Sequence, residues 1–83
     1  MNYIIVEVYL PMAEKSYDIK VPRTSKVWEV TNLIATAITD LSEGLYKATE
    51  ESILIDRETG SMFNINLSVE EVGFVNGSKL ILI

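Results

Sequence analysis

The residues best able to do chemistry come as acidic pairs. Glu50–Glu51 and Glu70–Glu71 are adjacent carboxylates, and "DRETG" at 56–60 sets Asp56 and Glu58 on either side of Arg57. Paired carboxylates can do general acid/base work when a pocket holds them. Adjacent residues in a loop or turn point apart, however, and neither pair lies in a stretch that would bury it. Both pairs therefore read as solvated turn charge. The 56–60 run is too short for a calcium loop and lacks the spaced oxygen ligands, so it reads as a turn. Thr24 and Thr36 have no histidine to activate them. The chain has neither histidine nor cysteine. That removes the commonest general base, the thiolate nucleophile, imidazole and thiolate metal ligands, and any disulfide. The expectation is a non-enzyme with no catalytic residue, no metal site and no cofactor.

The 83 residues suffice for one domain, 1–83, and a chain this short buries only about 60–65% of its unfolded surface. A hydrophobic share of 48% against 23% charged residues excludes intrinsic disorder. No run approaches the roughly 18–20 apolar residues of a membrane span, and no basic-then-apolar leader opens the chain, so direct membrane insertion is not expected and a cytoplasmic location is. The net charge is −5, with −1 in residues 1–40 and −4 in residues 41–83. That balance argues against a nucleic-acid partner, which favours a basic face. Lys15, Lys20, Arg23 and Lys26 do cluster ahead of the helix, as ordinary solvated charge.

The elements that must position any site follow from periodicity. In "NYIIVEVYL", Ile4, Val6, Val8 and Leu10 share one face, and Tyr3, Ile5, Glu7 and Tyr9 the other. Period two with β-branched and aromatic residues predicts a strand, ended by Pro11. "YDIKV" alternates again and completes a hairpin over 2–21. Thr24 or Ser25 is the expected helix cap. Val27, Val30, Ile34, Ala37, Ile38 and Leu41 recur at helical spacing, and Gly44 stops the helix. Residues 42–51 read as a loop. "SILID" and "SMFNI" are two short strands around a turn at Gly60, and "SVEEVGF" is a helical turn. "VNGS" is a tight turn with Asn76 and Gly77 left-handed, and "SKLILI" is the last strand. The order is β-β-α-β-β-β, an α+β fold whose one helix must pack on one face of a mixed sheet. The first and last strands, the most apolar, belong at its centre.

The closing stretch "SVEEVGFVNGSKLILI" carries a resemblance. Val69, Phe74, Asn76–Gly77, Leu80 and Leu82 fall where ubiquitin-like domains place an apolar pair, a turn before glycine, and alternating apolar residues. With the element order, the chain resembles the ubiquitin-like β-grasp superfamily. It is most similar to the small bacterial YukD/EsaB-type proteins that accompany type VII (ESX-like) secretion systems. The resemblance implies a non-catalytic protein-interaction module, accessory or regulatory to such a system. The alternatives are a conjugated modifier or sulfur carrier, or a domain excised from a larger protein. Modifiers and carriers end in a flexible Gly-Gly tail that enters an adenylating enzyme. This sequence stops at Ile83 within the last strand, so a modifier reading requires a tail absent here.

Partner binding is expected on the open sheet face. Leu80 and Leu82 should face the helix, leaving Ile81 and Ile83 outward with Tyr3 and Ile5, and with either Ile53 or Leu54. A wet sheet face normally alternates apolar with polar residues, and a contiguous apolar patch marks a partner or a homodimer contact. Trp28 lies off the helix's apolar stripe. It is either a staple packed on Pro22 or Tyr46 or an exposed helix-side anchor, with the staple favoured.

Overall fold

The computed structural model describes residues 2–83. Strand β1 (Tyr3–Leu10) pairs antiparallel with β2 (Lys15–Pro22) across a 3₁₀ turn at Pro11–Ala13. Helix α1 (Val27–Leu41) follows, then β3 (Leu54–Asp56) and β4 (Lys79–Leu82). The sheet order is β2-β1-β4-β3, with β1 and β4 parallel at its centre and the other pairings antiparallel. The expected helix-on-mixed-sheet architecture and the central placing of the first and last strands both hold.

Alternation sorts the side chains as period two requires. Ile4, Val6, Val8, Leu10, Ile19, Val21, Leu54, Leu80 and Leu82 are buried beneath the helix. The helix contributes Val27, Val30, Thr31, Ile34, Ala35 and Ile38. Two residues of the expected stripe fall outside it: Ala37 is half-buried, and Leu41, on the last turn, is exposed. Thr31 and Ala35 complete the stripe instead. Thr31 is tolerated there because its hydroxyl donates to the Val27 carbonyl at 2.8 Å. Tyr46 enters the core from the loop after α1, with its hydroxyl bonded to Ser52 Oγ.

Three local expectations are corrected. The helix cap is Lys26, not Thr24 or Ser25. Lysine has no acceptor, so the bond runs the other way, from the Lys26 N–H to the Glu29 carboxylate at 3.0 Å. "SMFNI" is not a strand: it touches β3 in a single bridge, Ile55 to Met62, with the Asp56 N–H on the Ser61 carbonyl at 2.9 Å. Asn64 turns the chain away, its side chain accepting from the Asn66 N–H and its carbonyl from the Leu67 N–H. Among the described residues the sheet has four strands rather than five. In the turn before β4 only Gly77 is left-handed, at φ 86°. Asn76 instead uses its side-chain oxygen to accept the Ile5 N–H at 2.8 Å, while the Gly77 N–H bonds the Ile5 carbonyl. Together these bonds fasten the turn to the start of β1 and set the parallel register.

Candidate protein-binding surfaces

Register decides what the outer sheet face can do. Asp18 lies opposite Glu7, Glu7 opposite Lys79, and the Arg57 N–H bonds the Lys79 carbonyl. One row across β2, β1 and β4 and onto the residue after β3 thus reads Asp18, Glu7, Lys79, Arg57. The Arg57 guanidinium meets Glu7 at 3.4 Å and stacks over the Tyr9 ring, 4.5 Å from its centre. The next row toward the end of β4 reads Ser16, Tyr9, Ile81, Ile55, and beyond it Ile83 and Ile53 exchange backbone hydrogen bonds.

The four residues expected to form one patch are therefore divided. Ile81 and Ile83 lie with Tyr9, Ile53 and Ile55 on one side of the charged row. Tyr3 and Ile5 lie on the other side, at the start of β1, with Ile5 roughly 13 Å along the strand from Tyr9. Lys20 covers part of that end, its ammonium 4.7 Å from the centre of the Tyr3 ring. Tyr3, Ile5 and Ile83 are all about half exposed, whereas Ile81 is half-buried between its neighbours. Of the pair weighed for the outer face, Ile53 joins it and Leu54 is core.

Trp28 is not a staple. Its side chain is 46% exposed and lines a groove of about 330 Å³. The groove runs between the first turns of α1 and the β3 edge, with Met62, Phe63 and Ile65 along its far side. Met62 and Ile65 are exposed, and Phe63 packs edge-on against Phe74 at 4.8 Å. Sequence reasoning names Trp28 as an anchor only in its less favoured alternative, and it misses Met62 and Ile65, which it assigns to a strand. The groove wall is held by backbone bonds: the Val27 and Trp28 N–H groups donate to the Leu67 and Ile65 carbonyls, and Val69 N–H to Ser25. A reciprocal cap finishes it, with the Ser68 N–H on the Glu71 carboxylate at 2.9 Å and the Glu71 N–H on Ser68 Oγ at 3.2 Å. The Ser68 backbone bond, then its hydroxyl, hold the Glu71 carboxyl below its usual value; the nearby Lys26 charge adds to this, against some desolvation.

The acidic pairs behave as solvated charge. Glu70 forms an exposed ion pair with Arg23 at 3.7 Å, and Glu71 is the cap just described. Asp56 accepts the Glu58 N–H within its turn. No group of three acidic residues that could hold a metal is found among the described residues, and none of their helices is long and apolar enough to cross a membrane.

No family model and no curated protein matches this chain. Solved structures do match. The ubiquitin-like domain of the Mycobacterium tuberculosis type VII secretion system protein EccD1 superposes over 100% of this chain and 99% of its own, with a TM-score of 0.78 at 14% identity. The EccD5 ubiquitin-like domain from Mycobacterium xenopi covers 100% of this chain and 94% of its own, with a TM-score of 0.80 at 17% identity. A chain of the MycP5-free ESX-5 inner membrane complex gives 0.81 at 15% identity, and this chain spans 21% of it.

Proposed function

The fold is that of a ubiquitin-like β-grasp domain, and on it we propose a single-domain, non-catalytic protein-interaction module that serves a bacterial type VII (ESX-like) secretion machine in an accessory or regulatory role. The observation that carries this reading is the full-length likeness to two EccD ubiquitin-like domains, one of them described as belonging to a type VII secretion system protein. A third similar chain belongs to an inner-membrane assembly. The module works on the cytoplasmic side, bound to a protein of the machine rather than inserted in the bilayer.

The docking surface is the Tyr9, Ile81, Ile83, Ile53 and Ile55 end of the outer sheet face. It gathers five apolar side chains, of which Ile83 is exposed and the others half-buried, and the charged row beside it supplies both signs for orienting a partner. Tyr3 and Ile5 form a smaller contact beyond the row. Homodimerisation through the same end is the competing mode, and sedimentation of the pure protein distinguishes it. The test is co-purification. Cells carrying a type VII locus are made to express the tagged chain, and the inner-membrane complex is isolated through another subunit. The wild-type chain is expected in the complex, and an Ile83→Asp chain is expected to be depleted at least tenfold. A complex that lacks the wild-type chain overturns the reading.

A further inference from the structure

The groove beside β3 is a second site with different chemistry, and it shares only Ile53 with the outer-face surface. Its floor is apolar: Val27 and Leu54 line it and are buried. Its rim carries Trp28, Met62 and Ile65, all exposed, so three large apolar side chains from distant parts of the sequence surround one depression. An exposed tryptophan beside a concave apolar surface is a typical binding hot spot.

Two polar features say what fits there. Ile53 exchanges both its backbone bonds with Ile83, so the next pair, Leu54 and Leu82, is not hydrogen-bonded between strands. Leu54 therefore turns its N–H away from β4 toward the sheet edge beside Phe63, where the chain makes one bridge at Met62 and departs at Asn64. Among the described residues that N–H makes no hydrogen bond to the segment beside it. The second feature is charge. Glu50 is the one ionisable residue lining the groove, it is exposed, and it belongs to neither ion pair among the described residues. The nearby Glu29 carboxylate is engaged by the Lys26 N–H, and the Lys26 ammonium by the Asn66 carbonyl.

We propose that this groove binds an extended apolar segment of a partner protein that carries a lysine or arginine among its apolar residues. The apolar side chains pack on Trp28, Met62 and Ile65, a backbone carbonyl accepts the Leu54 N–H, and the cation pairs with Glu50. Charge complementarity selects this occupant. A second copy of the chain is disfavoured, because groove-to-groove contact opposes two uncompensated Glu50 rims on chains of net charge −5.

Trp28 is the sole tryptophan, so its emission reports the groove directly. The probe is a panel of acetylated six-residue peptides with Leu, Ile, Val or Phe at four positions and lysine at the others, matched by a panel with glutamate there. Lysine peptides should shift Trp28 emission to the blue with saturation, and their glutamate counterparts should bind at least tenfold more weakly. Glu50→Lys, on the surface and without a hydrogen bond among the described residues, should keep the fold by circular dichroism and reverse the preference. The proposal is overturned if no lysine peptide shifts the emission at millimolar concentration, or if Glu50→Lys leaves the preference unchanged. The outer-face reading survives either failure, because Ile53 alone is shared and Tyr9, Ile55, Ile81 and Ile83 do not line the groove.

Discussion

On the outer face of the sheet a row of four charged side chains crosses between two apolar ends, whereas the groove beside β3 is apolar along its floor and carries one carboxylate at its rim. The first surface is made by pairing register: the same side chains, slipped along β4, would form a different pattern. The second is made by a loop that leaves the sheet after one bridge. Strand alternation therefore creates a flat surface that charge can subdivide, and a broken strand creates a concave one. The two surfaces should respond differently to substitution, to salt and to pH.

The largest contrast lies between neighbours on the outer face itself. Ile81 is half-buried between Tyr9 and Ile55, so Ile81→Asp should cost about 2 kcal/mol of stability through desolvation of the new carboxylate. Ile83 is 51% exposed, and Ile83→Asp should change stability by less than about 0.5 kcal/mol. Urea titration measures both; equal losses would mean that the two isoleucines do not differ in packing as described. Ile83→Asp is thus the cleaner probe of partner binding.

Charge reversal gives the next largest effect. Lys79→Glu would oppose Glu7 directly and turn the row into three acids and one base, at a cost of about 0.5–1 kcal/mol at low salt. Half-molar salt should recover most of that loss in the thermal midpoint. Glu50→Lys at the groove has no opposed partner and should move the midpoint by less than about a degree. A midpoint that ignores the sign at position 79 would remove the charged row from the account.

The smallest effect is one of pH, and it falls on the groove wall. Glu71 titrates below its usual value in the folded chain. Above the unfolded value both states are ionised and its capping contribution is complete; as pH falls through the lowered folded value the contribution is lost. Amide exchange at Ser68, corrected for intrinsic rates, should therefore speed up on acidification into that range, and Glu71→Gln should abolish the dependence. A Ser68 amide whose protection ignores pH would separate the cap from the Glu71 charge.

The sequence made some of this legible and hid the rest for physical reasons. Ile4, Val6, Val8 and Leu10 announce β1 because local alternation is enough to assign faces. Leu80 and Leu82 are recognisable as core for the same reason, and the ubiquitin-like ending around Gly77 identifies the fold. Alternation tells which face a residue takes but not which residue lies beside it on the next strand. Alternation alone therefore groups Tyr3 and Ile5 with Ile81 and Ile83, though Glu7 and Lys79 stand between them. The groove was harder still. Trp28 meets Met62 and Ile65 only because Asn64 offers its side chain to the backbone and stops a strand that "SMFNI" otherwise favours. Tyr46 was hidden in an aperiodic loop, yet its ring is core.

The central claim is docking of the outer face on a type VII secretion assembly, and the most direct measurement is quantitative co-purification of three chains with that inner-membrane complex. Wild type and Glu50→Lys carry an intact outer face, and Ile83→Asp does not. Near-stoichiometric recovery of wild type, retention of Glu50→Lys and at least tenfold depletion of Ile83→Asp is the predicted result. Recovery of Ile83→Asp at the wild-type level, with its fold intact, would contradict the account.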